Sequence, residues 1–360
     1  MSYYIGIMSG TSLDGVDIAL CDIDSSSCRL IEAIEYPFDT TLREDILGVI
    51  GCESSSLLGF GQIDIRLGEL FANGVNTLLA QYSIKKEEIE AIGSHGQTLW
   101  HSPHTTPPFT IQLGNPSTIA TQTGIKVVAN FRDKDIALGG EGAPLTPAFH
   151  KSLFGDVKER VGVVNIGGIS NITIVDNPIK GYDIGCGNIL LDSWIAKYKN
   201  QKYDKNGSWA LEGEVDRSLL ESMLREPFFA KRPPKSTGRE LFNLKWIESH
   251  LQGRDVSAVD TQATLLELTA QTVANEVENS DIELLLLCGG GSKNRALLNH
   301  IERLLPTTIV DITDSYGVSS DYMEAMAFAW LGYKRINNQA VELKAVTGAR
   351  ENGILGGVYN

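Results

Sequence analysis

YYIGIMSGTSLDGVDIALCDI, residues 3–23, sets two apolar runs on either side of a glycine-rich turn, and VGVVNIGGISNITIVD, residues 161–176, repeats the arrangement. Runs rich in Ile, Val and Tyr separated by small residues read as antiparallel strands joined by a turn. In the first copy the polar turn DSSS leads to a third run over 29–36. In the second copy that third run is 180–184. Helical patterning over about 63–81 then precedes a buried-type strand at 89–94 and the loop HGQT. In the second copy, helices over about 214–225 and 257–280 precede the strand 282–288, the loop GGGSKN and a helix over about 295–305. The order strand, glycine turn, strand, strand, helices, strand, glycine loop thus occurs twice, its first members near Ile5 and Val164 lying about 160 residues apart. Such self-similarity predicts an α/β protein made of a duplicated domain, with antiparallel strands first and helical crossovers after.

The predicted division is 1–153 and 154–360, with the last residues able to pack back on the first domain. A chain of 360 residues suits two domains rather than one core. Facing domains of this kind leave a central cleft lined by both glycine turns, where a ligand is expected. The net charge of −14, with no dense Lys/Arg patch along the chain, argues against a nucleic-acid partner. Five cysteines without a CxxC pair suit a reducing compartment. The opening MSYYIGIMSG lacks a secretory pattern, and the run 284–288 is far too short to span a bilayer, so a cytoplasmic protein with no membrane partner is expected.

Several segments carry side chains suited to chemistry. In Gly10–Asp17, covering Gly10, Thr11, Ser12, Leu13, Asp14, Gly15, Val16 and Asp17, small residues admit close approach of an anion, and Asp14 and Asp17 suit Mg²⁺-bound water. The same residues also make an ordinary hairpin turn. No Lys follows and the next element is a strand, which rules out a P-loop. Asn165, Gly167 and Gly168 occupy the matching place in the second copy. Two such turns at equivalent positions predict a polyphosphate held from both sides. Gly289, Gly290 and Gly291, followed by Asn294, read as a platform for a nucleoside, since an ordinary β-to-α turn needs fewer glycines.

Asp183, at a strand end beside the glycines of GYDIGCGN, is either a turn cap or a general base. His95, Gln97, Thr98 and Trp100 in SHGQTLWHSPH suit sugar hydroxyls and a sugar face. The histidine spacings there match no helical metal pair, and none is expected to ligate a metal. Arg132 reads as a carboxylate fork or as a surface ion pair with Asp133 or Asp135. Glu324 reads as the capping partner of Asp321 or as an active-site carboxylate, with patterning favouring the cap.

As an ordered set, GIMSGTSLDGVD, GSHGQTLWHSP, FRDKDIALGGEGAPL, VNIGGISNIT, GYDIGCGN, PPKSTGRELF, DTQATLLELTA, LCGGGSKN and DYMEAMAFAWL resemble the anhydro-N-acetylmuramic acid kinases, within the actin/Hsp70/hexokinase-like superfamily. The resemblance covers essentially the whole chain. It implies duplicated actin-like ATPase (ribonuclease H-like) domains, ATP and Mg²⁺ as cofactors, a small sugar substrate and a homodimer. It implies that 1,6-anhydro-N-acetylmuramic acid is opened by water and phosphorylated on O6. By the same resemblance Gly10–Asp17 and Asn165–Gly168 hold phosphates and Gly289–Gly291 approach the nucleoside. Asp183 activates water, Glu324 assists, and His95, Gln97 and Arg132 hold the sugar. Cys186 stands where the family pattern leads one to expect proline. The residues of PPKSTGRELF suggest no role of their own. The competing readings keep the fold, with either another sugar as acceptor or an actin- or chaperone-like nucleotide switch.

Overall fold

The computed structural model describes residues 2–10, 13, 15–50 and 56–360. In chain order the first half holds β1 (Tyr3–Ser9), β2 (Gly15–Ile23), β3 (Cys28–Pro37), α1 (Thr40–Val49), α2 (Leu57–Gln81), β4 (Ile89–Ser102), β5 (Phe109–Leu113), α3 (Pro116–Thr123), β6 (Val127–Ala129), α4 (Phe131–Ala137) and α5 (Thr146–Phe154). The second half holds β7 (Val161–Ile166), β8 (Ile169–Ile174), β9 (Lys180–Cys186), α6 (Ile189–Lys199), α7 (Arg217–Leu224), α8 (Leu244–Leu251), α9 (Ala258–Asn279), β10 (Leu284–Cys288), α10 (Arg295–Leu304), β11 (Ile309–Ile312), α11 (Met323–Ile336), α12 (Lys344–Thr347) and β12 (Gly357–Tyr359).

The described strands form two sheets, ordered β12-β6-β4-β1-β2-β3 with β5 paired to β4, and β11-β10-β7-β8-β9. The pairing senses of the corresponding strands match. β1 is antiparallel to β2 and parallel to β4, and β7 is antiparallel to β8 and parallel to β10. The duplication read from the glycine turns is therefore a duplication of sheet topology. The loop expected at HGQT is instead continuous strand, because β4 runs on to Ser102 and pairs with β5. Two polar residues beside a glycine read as a break. The antiparallel partner that keeps the strand going lies beyond the next turn.

The chain divides into two units, Met1–Leu153 with Tyr322–Asn360, and Phe154–Asp321. The division of 154–360 as one piece thus differs from the structure, which assigns α11, α12 and β12 to unit 1. The physical reason lies in two strand glycines. A Cβ at Gly6 in β1 would collide with the carbonyl of Ala325, and one at Gly93 in β4 would collide with that of Phe328. Without those side chains the backbone of α11 lies directly on the first sheet. β12 then pairs with β6, Val358 opposite Val128.

Each unit has its own core. In unit 1, α2 starts at the Ser56 cap, whose Oγ accepts from Gly59 N–H, and buries Ile63, Leu67, Phe71, Val75 and Leu78 at helical spacing. They pack with Ile5, Ile7 and Ile18 of the sheet. In unit 2, α9 begins at the Ser257 cap and buries Leu265, Leu268 and Val273 with Trp194, Phe228 and Phe242. Complete burial of one such aromatic side chain contributes about 2–3 kcal/mol. Cys21, Cys28, Cys186 and Cys288 are buried thiols.

Candidate active site

Unit 2 gathers three of the sequence blocks at one place. Gly167 and Gly168 turn the chain from β7 to β8. Their carbonyls accept from the chain just after β9: Asn188 N–H donates to Gly167 O at 2.8 Å, and Gly187 N–H to Gly168 O at 2.9 Å. A Cβ at Gly187 would collide with Gly167 O, so that glycine is needed for backbone packing, while Gly289 holds a left-handed φ of +78° that side chains rarely adopt. Gly167, Gly168 and Gly290 differ: a methyl group at any of them meets only ordinary contacts, at 3.4 Å or beyond. Those are the glycine faces left open to close approach. Asn294 is committed elsewhere, because its Oδ1 caps α10 by accepting from Leu297 N–H at 3.2 Å.

Asp183 sits in β9, half-buried, opposite Asn171. Ser236 Oγ–H and Thr237 N–H both donate to its Oδ2, at 3.1 and 3.0 Å, and its own N–H donates to Lys235 O at 3.1 Å. Among the described residues Oδ1 takes no hydrogen bond, so one carboxylate oxygen is anchored and the other is not. Burial raises the Asp183 pKa above the usual carboxylate value, and the Thr237 and Ser236 donors act against that rise. The turn-cap reading fails, since Asp183 receives bonds from a remote segment rather than from its own turn. That segment is PPKSTGRELF, which sequence reasoning left without a role: it supplies the cradle of the carboxylate. Only three-dimensional proximity reveals this. Cys186 is wholly buried in β9 opposite Ile169, and burial pushes its thiol up to about 12.

Unit 1 gathers the others. Ser9, at the end of β1, lies opposite Gln97 of β4, and its Oγ–H donates to Gln97 Oε1 at 2.5 Å. Gln97 therefore ties the base of the first glycine turn to β4. Thr11, Ser12 and Asp14 lie outside the described residues. Gly10 accepts from Leu13 N–H at 3.3 Å, while the Leu13 and Val16 side chains are core, leaving only their backbone for a ligand. Gly15 opens β2, and Asp17 follows on it, half-buried, opposite Met8.

His95 is buried, its ring 4.6 Å from that of Phe328. Its Nε2 faces Arg132, whose Nη2 stands 2.8 Å away, and Arg132 Nη1 donates to Gly142 O at 2.7 Å. Burial, and then the charge of Arg132, hold the His95 pKa well below its ordinary value. Burial lowers Arg132 itself to about 10, opposed by the charges of Glu324 and Asp135. Glu324, half-buried, is raised by burial and lowered by Arg132. The surface-pair reading of Arg132 and the capping reading of Glu324 both fall here. α11 opens at Met323 with no side-chain cap, and Asp321 instead pairs with Lys293 at 2.6 Å. The Asp321–Glu324 spacing suits a cap, but the helix starts one residue too late for it.

The two sheets of matching topology, one of them carrying the anchored Asp183 carboxylate, are the duplicated actin-like α/β fold used by sugar kinases. The same fold is seen at 13% identity, with a TM-score of 0.51 over 94% of this chain and 100% of the other, in the (R)-2-hydroxyglutaryl-CoA dehydratase component A of Acidaminococcus fermentans. A sequence model of the anhydro-N-acetylmuramic acid kinase family matches residues 2–360, and the chain belongs to that family. A relative bearing that name in Sulfurovum sp. (strain NBC37-1) is 53% identical over 99% of this chain and 98% of its own length. Another in Pasteurella multocida (strain Pm70) is 47% identical over 99% and 96%. The protein is accordingly a kinase with an alcohol group as acceptor, in amino-sugar metabolism. Among the described residues no helix is long and apolar enough to cross a membrane.

Proposed function

We propose that the protein uses ATP and Mg²⁺ to convert 1,6-anhydro-N-acetylmuramic acid and water into N-acetylmuramic acid 6-phosphate and ADP, in cell-wall recycling. The observation that carries the chemistry is the Asp183 carboxylate, anchored at Oδ2 by Ser236 and Thr237 and without a bond at Oδ1 among the described residues. Family membership supports the choice of sugar.

In this reading Asp183 Oδ1 takes a proton from water as the water oxygen attacks C1. The C1–O6 bond breaks, and O6 takes the γ-phosphoryl group. Burial that raises the Asp183 pKa also makes it a stronger base, which suits proton abstraction. In unit 2, the open faces of Gly167 and Gly168 receive phosphate, and Gly290, between Gly289 and Gly291, receives the nucleoside. In unit 1, Gly10–Asp17 form the other phosphate turn, and Arg132 holds the lactyl carboxylate. Buried His95 and Gln97 serve the sugar through Arg132 and Ser9, and Glu324 assists by balancing the Arg132 charge. Asp17 offers Mg²⁺ the carboxylate oxygen it prefers, with Asp14 as a second donor. The ion neutralises phosphate charge when bound. A homodimer is part of the proposal and rests on the family alone.

A coupled ADP assay with the anhydro sugar, glucose, N-acetylglucosamine and no acceptor tests the reading. ADP release is expected with the anhydro sugar alone, and ¹⁸O from labelled water is expected at C1 of the product. Turnover equal to the no-acceptor background would overturn the substrate, and ¹⁸O absent from C1 would overturn the role of water.

A further inference from the structure

The segment that cradles Asp183 lies at the surface: Pro233, Pro234, Ser236, Arg239 and Glu240 are all exposed. A surface segment of this kind holds a carboxylate in one place only if something anchors it. Lys235 and Phe242 are the buried residues within it, and Lys235 is the charged one, with its side chain 2% exposed. Its Nζ–H donates to Glu276 Oε1 on α9 at 2.5 Å and lies 5.3 and 5.8 Å from the ring centres of Phe228 and Tyr182. Tyr182 O–H donates to the other Glu276 oxygen, Oε2, at 3.1 Å. Lys235 is thus pinned at its far end to the core helix, while its carbonyl accepts the Asp183 N–H and the next two residues grip the Asp183 carboxylate.

We propose that the Lys235–Glu276 ion pair, buried at its lysine end and half-buried at its glutamate, positions the Asp183 carboxylate, making Lys235 and Glu276 positioning residues for the transfer reaction. This rests on the reading of Asp183 as the base. A buried pair of charges is a weak source of net stability, since desolvation offsets the attraction, and apolar residues fill such a slot as well. What the pair adds here is location: it fixes residues 235–237 relative to β9, where an apolar side chain would tolerate sliding. Lys235 and Glu240 are the charged groups facing Asp183 from this segment, of opposite effect on its proton affinity.

The test is a cycle of Lys235→Met, Asp183→Asn and the double variant, assayed on the anhydro sugar. A misplaced base costs rate rather than nucleotide binding, so Lys235→Met is expected to lower kcat by about tenfold or more with KM for ATP little changed. In the Asp183→Asn background the same substitution is expected to cost less than about twofold, because no base remains to misplace. The acid limb of the kcat profile is expected to move to higher pH in Lys235→Met. Equal losses in both backgrounds, or a wild-type kcat and acid limb in Lys235→Met, would overturn the proposal. Activity of Asp183→Asn near wild type would instead overturn the base reading itself. Should Lys235→Met not fold, judged by circular dichroism, Glu276→Gln replaces it in the same cycle with the same expected and overturning results.

Discussion

Arg132 Nη2 lies 2.8 Å and Arg132 Nε 3.3 Å from the same atom, His95 Nε2. A guanidinium keeps its protons, so Nε2 must be the acceptor and His95 is held as the neutral tautomer with its hydrogen on Nδ1. This histidine orients an arginine; it does not shuttle protons.

Arg132→Lys should therefore be more than a conservative change. A single ammonium cannot serve both His95 Nε2 and Gly142 O in the geometry of the fork. The expected result is a KM for the anhydro sugar raised about tenfold or more, with stability lowered by about 1–3 kcal/mol. Steady-state kinetics and urea melts check both. An unchanged KM would remove Arg132 from the sugar site.

Asp183 must be unprotonated to accept a proton, and burial raises its pKa. As pH falls through that raised value the base is lost, so the acid limb of kcat is expected above the ordinary Asp value of about 3.9. Ser236→Ala removes a donor to the charged form, which raises the pKa further and should shift the limb upward. Asp183→Asn should lower kcat by about 10²-fold or more with little change in ATP affinity. A limb that stays put in Ser236→Ala would contradict the anchoring.

Buried neutral histidines make stability depend on pH. His150 is lowered to about 3 by burial, and His95 is lowered well below its ordinary value by burial and Arg132. The unfolded chain takes these protons near pH 6.5 while the folded chain refuses them. Stability is thus complete above about pH 6.5 and falls as pH drops towards the folded values, by up to about 1.4 kcal/mol per pH unit for each histidine. Denaturant melts from pH 7 to 4 measure this slope. His150→Asn should flatten it, and an unchanged slope would show that His150 is protonated in the folded protein.

Gly93→Ala adds one methyl where the carbonyl of Phe328 already stands. α11 must lift off the sheet, and overpacking of this kind costs about 1–3 kcal/mol. Since α11 also carries Glu324 and Phe328, the stacking partner of His95, activity should fall along with stability. A fully stable, fully active Gly93→Ala would show that the helix has slack.

Thr347 Oγ1–H donates to Asp135 Oδ1 at 2.8 Å, while Asp135 Oδ2 accepts from Gly142 N–H at 2.8 Å. All of this is buried, and Gly142 is also the carbonyl partner of Arg132. Thr347→Val leaves a buried carboxylate oxygen without its donor and should destabilise by about 1–3 kcal/mol. Thermal melting measures the loss. A melt indistinguishable from wild type would mean that the C-terminal segment does not brace the loop.

Local patterning determined a good deal. Apolar alternation and glycine turns placed β1, β2, β7 and β8 to within a residue or two, and their repetition revealed the duplicated topology. Residue chemistry singled out Asp183, His95 and Arg132 as candidates with their roles left open, and the ordered motifs marked the family. These features are legible because strand period, turn chemistry and motif order are properties of neighbouring residues. What tertiary structure alone decided is who meets whom. Tyr322–Asn360 belong with unit 1 because Gly6 and Gly93 leave room for α11, a contact across more than 200 residues of chain. Glu324 faces Arg132 instead of capping its helix. Above all, the segment that reads as nothing, Lys235–Thr237, holds the carboxylate of Asp183, since hydrogen bonds and buried ion pairs obey distance in space and not separation along the chain.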